Sequence, residues 1–199
     1  MSSKFDLGLV QALRDRTGVG MMDCKKALIE TGGDIDRAVE MLRKKGAAVA
    51  EKRATNATKQ GLVHSYIHAG GQLGVLVEIN CETDFVARTP DLQAFVRDVA
   101  MHIAAAHPRC VSPEELDQEF LAREKDIFAE QLKASGKPAQ MIDKIVEGKV
   151  EKLYTEVCLL KQTFIKNDKI TINDLLKDLM AKMGEKITIR RFARYEVGS

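Results

Sequence analysis

Apolar residues recur at the spacing of a helix up to Gly46 but at the spacing of a strand from Leu62 to His68 and from Gly74 to Cys81, so neither an all-helical nor an all-strand fold can hold this chain. Leu9, Val10 and Leu13 share one face of a helix expected to start near Asp6 and to end at Gly18. Met22, Lys25, Lys26 and Ile29 belong to a second helix, closed by Gly32-Gly33. Asp34 is a natural N-cap for a third, in which Ile35, Ala38, Val39 and Leu42 form the apolar stripe; Gly46 is expected to stop it after a basic last turn of Arg43, Lys44 and Lys45. Residues 1–46 thus predict a three-helix domain. Residues 47–59, rich in Ala, Lys, Glu and Arg but lacking an apolar face, predict a linker helix.

Residues 60–199 predict an α+β core. Leu62 to His68 and Gly74 to Cys81 read as two strands joined by Ala69-Gly70-Gly71-Gln72, and a third strand spans Lys186 to Val197. In that third strand Ile187, Ile189, Ala193 and Val197 alternate with Thr188, Arg190, Arg194 and Glu196. A three-stranded antiparallel sheet needs a cover, which Leu92, Phe95, Val96, Val99 and Ile103 supply from one helix and Leu175, Leu176 and Leu179 from another over Asn173 to Met183. Between these two lies a helical hairpin over roughly residues 112–160. Ser112-Pro113-Glu114-Glu115 reads as a capping box opening its first helix, Gly136 ends that helix, and Pro138 opens the second.

Composition excludes more than it selects. With 199 residues and 45% hydrophobic content a real core is available, while 31 basic against 29 acidic residues leave a net charge of only +2 and no field that advertises nucleic acid or an acidic membrane. Lys44, Lys45, Lys52, Arg53 and Lys59 form either a nucleic-acid patch or a solvated helix surface, and the lack of interleaved aromatics favours the second. Cys24, Cys81, Cys110 and Cys158 lie far apart with no ligand spacing, so no metal and no cofactor is expected. No signal peptide precedes Phe5 and no apolar run approaches a membrane span of about 20 residues, from which a reducing cytoplasm and free thiols are expected. His64 and His68 stand too far apart along a strand for one metal, phosphate-loop and nucleophile-elbow motifs are missing, and a carboxylate next to Cys81 disfavours its thiolate. An enzyme is therefore not expected.

One segment stands out. Glu78 to Val86 reads E-I-N-C-E-T-D-F-V, an apolar strand that runs into an acidic turn and then offers Phe85. Such a ring belongs either to this chain's core or to a partner, and residue type alone favours the core. R-x-x-T-G-V-G-M-M-D-C-K-K-A-L from Arg14 to Leu28, N-C-E-T-D-F-V-A-R from Asn80 to Arg88 and G-E-K-I-T-I-R-R-F from Gly184 to Phe192 together resemble bacterial elongation factor Ts in its short, single-core form. The resemblance spans nearly the whole chain and makes the N-terminal three helices a ubiquitin-associated-like domain.

That resemblance implies a guanine nucleotide exchange factor for the translational GTPase elongation factor Tu. Phe85 becomes a wedge that enters the GTPase, disturbing its Mg²⁺ and phosphate site so that GDP leaves. Asp84 is its polar neighbour, Thr83 holds the turn, and Val86 belongs to the same partner-binding segment. Arg14, Met21 and Met22 match residues that dock the helical domain on the GTPase, with Met22 expected to be partly core, and His68 matches a further contact. Longer family members carry two core copies, so this single copy is expected to pair as a homodimer, its third strand near a two-fold axis and Phe192 and Ile189 in the interface, with Phe85 of one protomer beside His68 of its mate. The alternatives are a protein-interaction adaptor of another pathway, a thiol enzyme and an RNA-binding module.

Overall fold

The computed structural model describes residues 7–53 and 55–199. Three helices come first, α1 (Leu7–Thr17), α2 (Met21–Glu30) and α3 (Ile35–Lys52), followed by strands β1 (Gln60–Ile67) and β2 (Leu73–Cys81). A four-residue helix α4 (Asp84–Ala87) and the long α5 (Pro90–Ala106) lead into a helical hairpin, α6 (Gln118–Ala134) and α7 (Ala139–Val157). Short strands β3 (Thr163–Phe164) and β4 (Asn167–Thr171), helix α8 (Ile172–Met183) and strand β5 (Ile187–Glu196) complete the chain. The fold is α+β, with a three-stranded antiparallel sheet in the order β1-β2-β5. Among the described residues no helix is long and apolar enough to cross a membrane.

The chain packs as two compact units, each assembled from separate segments: residues 1–62, 79–95 and 174–188 in the first, and 63–78, 96–173 and 189–199 in the second. In the first unit Val10, Leu13, Cys24, Ala27, Leu28, Ala38 and Leu42 form the core of the helical domain, with Leu9, Ile35 and Val39 packed against it. Asp34 caps α3 as its residue type dictates, its carboxylate accepting a hydrogen bond from the Arg37 amide at 3.0 Å. The expected start of the first helix near Asp6 lies outside the described residues. Gly46 does not stop α3, which runs on to Lys52. A Cβ at Gly46 would overlap that of Ala181 on α8, so the glycine serves close approach of two helices and not a helix end.

In the second unit the inner face of β2 is plain: Val75 and Val77 are buried while Leu76, between them, is exposed. The alternation expected along β5 breaks. Arg190 and Arg191 are both exposed, and Arg194 turns inward, its Nε donating to the Ala104 carbonyl at 3.3 Å and its Nη1 to Glu196 at 2.8 Å. A guanidinium tolerates that position because a helix-end carbonyl and a carboxylate receive it. The capping box at Ser112 is also corrected. Residues Pro113–Glu115 make only a single 3-10 turn without a side-chain cap, and α6 starts at Gln118 under Asp117, whose carboxylate accepts from the Glu119 amide at 3.0 Å. Leu116 lies buried with Cys110, Leu121, Val150, Leu153 and Cys158, and that burial interrupts the helix. Gly136, at φ +71°, ends α6 as expected.

Candidate functional site

β2 delivers its last residue, Cys81, into the core of the first unit, and the turn begins there. The Cys81 thiol donates to the Thr83 carbonyl at 3.1 Å. Thr83 is extended and N-caps α4, its hydroxyl oxygen accepting a long bond of 3.5 Å from the Val86 amide. Within one helical turn consecutive side chains point about 100° apart, so Val86 goes inward and is buried while Phe85 goes outward, 80% exposed. Val86 is therefore an anchor of the turn on its own chain and not a partner-facing residue. Asp84 pairs with Arg88 across the same turn at 2.9 Å, with both side chains largely in solvent.

Glu82 and Thr83 read as solvated turn residues, but both are tied down. The Glu82 carboxylate accepts from Arg53 Nη1 at 3.0 and 2.9 Å, from Asn56 Nδ2 at 2.8 Å and from the Lys186 amide at 2.6 Å. Its pKa is held below the usual carboxylate value, first by the Lys186 amide, with Asn56 and Arg53 adding to the effect against a smaller cost of burial. The Thr83 amide donates to Glu185 Oε2 at 3.1 Å and its hydroxyl to Glu185 Oε1 at 2.6 Å. Residue patterning pointed to none of these partners, since Glu185 and Lys186 lie more than a hundred positions away in the chain.

In the helical domain Arg14 is exposed in the last turn of α1, and Met21 and Met22 open α2. Met22 is corrected: it is 66% exposed against 41% for Met21, and neither belongs to the core. Cys24, Ala27 and Leu28 define the inward face of α2, and Met22 lies about 200° around the helix from Cys24 whereas Met21 lies about 60° away. His68, in the second unit, sits at the hairpin turn after β1. It is exposed, its Nδ1 lies 2.9 Å from the Tyr66 hydroxyl, and its carbonyl accepts from the Gly71 amide.

A family model described as elongation factor TS matches residues 23–199, nine-tenths of the chain. The chain belongs to the elongation factor Ts family. It is 54% identical over 189 residues to elongation factor Ts of Moorella thermoacetica, covering 95% of this chain and 93% of the relative. It is 54% identical over 190 residues to that of Syntrophus aciditrophicus, covering 96% and 94%, and 56% identical over 189 residues to that of Geotalea daltonii, covering 95% and 88%.

Burial pushes three thiols of this family member, Cys81, Cys110 and Cys158, above their ordinary value. All four cysteines are buried. The Cys81 pKa is raised by burial first and by the nearby Glu185 carboxylate second, so the carboxylate that matters is not the adjacent Glu82 that sequence proximity suggested. Among the described residues no group of three or more His, Cys, Asp or Glu side chains could hold a metal ion.

Proposed function

We propose that this chain is a guanine nucleotide exchange factor for elongation factor Tu, with Phe85 as its wedge. The observation that carries this reading is a large aromatic ring left in solvent by a turn whose other parts are fastened to the chain. The factor makes and breaks no covalent bond. It binds the nucleotide-free GTPase best, so by reciprocity it weakens GDP, and GTP with Mg²⁺ expels it in turn. Burial of the Phe85 ring in the partner supplies about 2–3 kcal/mol toward holding the nucleotide pocket open. Thr83 fixes the turn and Asp84 lies beside the ring. Arg14 with the exposed thioethers of Met21 and Met22 docks the helical domain, and adaptable side chains of that kind suit a partner surface. His68 adds a contact from the β1–β2 turn.

The working unit is proposed to be a homodimer. Supporting it, Val63, Ile67, Leu76, Tyr195 and Val197 are all exposed on or beside the sheet, an apolar surface that a second copy would cover. Ile189 is buried in its own chain, so Tyr195 and Val197 replace it in the proposed interface, where half-buried Phe192 is retained. An RNA-binding reading has less to work with, since Lys44, Lys45 and Arg53 are engaged by Glu40, Asp23 and Glu82. The deciding experiment follows release of a fluorescent GDP from elongation factor Tu with and without this chain, and no acceleration would reject the exchange reading. Sedimentation as a monomer with full stimulation would reject the dimer. Partial recovery of activity on mixing Phe85→Ala and His68→Ala protomers would support it.

A further inference from the structure

Past the ends of β2 and β5 the two strands stay joined by side chains. Glu185 accepts from the amide and the hydroxyl of Thr83, and Glu82 returns the contact by accepting from the Lys186 amide. The dipeptides Glu82-Thr83 and Glu185-Lys186 therefore hold each other reciprocally, with a carboxylate as acceptor in every bond, and bonds to ionised acceptors are about twice as strong as neutral ones. Arg53 and Asn56 fill the remaining acceptor sites of Glu82, and Lys186 Nζ donates to the Asn56 carbonyl at 3.0 Å. Phe85 follows two residues later, and a ring with four-fifths of its surface in water takes little orientation from packing. Helix α4, only four residues long, is too short to hold a direction unaided and inherits it from its N-cap, Thr83.

We propose that Glu185 is a positioning residue for Phe85: it fixes Thr83 so that the turn presents the ring in one direction, while Glu82 braces the same backbone. This rests on the wedge reading and adds to it a residue in the G-E-K segment, far along the chain, that does not itself reach the GTPase. A wedge held loosely spends its binding free energy on becoming ordered, and misplacement by about 1 Å is enough to cost up to about 100-fold in a rate.

The test is a double-mutant cycle on fluorescent GDP release from elongation factor Tu, using the full chain as wild type, Glu185→Ala, Phe85→Ala and both together. Glu185→Ala is expected to lower stimulation about tenfold, and the double variant is expected to fall no lower than Phe85→Ala alone, because Glu185 acts through the ring. Multiplicative losses, or full stimulation by Glu185→Ala, overturn the positioning role while leaving the wedge intact. Full stimulation by Phe85→Ala overturns the wedge itself. A second readout needs no partner. The chain has no tryptophan, so Phe85→Trp places a single tryptophan at the tip, excited selectively at wavelengths the tyrosines do not absorb. Adding Glu185→Gln, which puts an NH₂ donor in place of one of the two oxygens that receive Thr83, is expected to lower its anisotropy with the circular dichroism unchanged. Unchanged anisotropy overturns the proposal even if Glu185→Ala fails to fold.

Discussion

Two places in this molecule are held by polar side chains where regular backbone pairing stops, and they do opposite things with them. In the second unit His102 is fully buried on α5. The Ile165 amide donates to its Nδ1 at 3.3 Å, which assigns the proton to Nε2, and Nε2 donates to Gln162 Oε1 at 3.0 Å. Gln162 Nε2 then donates to the Ala106 and Glu156 carbonyls at 3.2 and 2.7 Å. That network closes on itself and every member is satisfied. In the first unit the Glu82–Thr83–Glu185 network is just as fully bonded, yet it ends in a hydrophobic ring left in water. A satisfied polar network inside specifies the fold, and the same chemistry at a strand end displays a side chain. Substitutions should therefore separate the two regions, one losing stability and the other losing only exchange.

Phe85→Ala gives the largest effect and the sharpest separation. GDP-release stimulation is expected to fall about 30- to 160-fold, the equivalent of the burial of one aromatic ring. Thermal stability should stay within about 2 °C of wild type, because an exposed ring contributes little to the fold. A drop of several kcal/mol in unfolding free energy would mean the ring is core and would break the comparison.

Gln162→Leu is the converse. It strands the His102 Nε2 proton and two helix-end carbonyls, so an unfolding free-energy loss of about 2–4 kcal/mol is expected by urea titration. Exchange per folded molecule should be unchanged. Equal loss of exchange at temperatures where the variant is fully folded would show that the His102–Gln162 network serves exchange as well as stability, and would break the comparison.

Acid acts on both regions at different pH. Burial lowers the His102 pKa below its ordinary 6.5, outweighing the bond to Gln162, so the native state binds fewer protons than the unfolded chain once the pH drops under about 6.5. The stability contributed by the neutral imidazole is complete above that value and is lost as pH falls toward the lowered native pKa. Glu82, also lowered, keeps its contribution down to about pH 4.5 and loses it only below. Urea midpoints measured from pH 7.5 to 4 should decline in two stages, and His102→Gln should flatten the first.

Much of this was legible in local pattern. The helix stripes, the Asp34 cap, the Gly136 stop and the strand positions follow from spacing over a few residues, and the N-C-E-T-D-F-V-A-R segment marked the turn. What escaped depends on distant contacts. Gly46 looks like a stop until Ala181, 135 positions later, is seen against it, and Glu82 looks solvated until Lys186 arrives. Arg194 reads as outward by alternation but is drawn in by the Ala104 carbonyl. The β3–β4 hairpin went unseen because its first strand has two residues, too few for any period to show.

The smallest effect concerns thiols, and it ranks the two regions by local stability. Cys158 closes α7 with its Sγ 3.5 Å from that of Cys110; burial first, and then that neighbour, push the Cys158 pKa up to about 12. Almost no thiolate exists there at pH 8, so alkylation must wait for an opening of the hairpin base. Cys81 is also buried and also raised, but what covers it includes a short turn fastened by side chains instead of a layer of packed helices. Opening that turn should cost less than opening the cluster of Leu116, Leu121, Val150 and Leu153 around Cys158. Mass-spectrometric mapping under iodoacetamide at pH 8 should therefore find Cys81 modified on the order of tenfold faster than Cys158, with the difference widening in Glu185→Ala. Modification of Cys158 first would place the weaker network at the hairpin base and reverse the ranking.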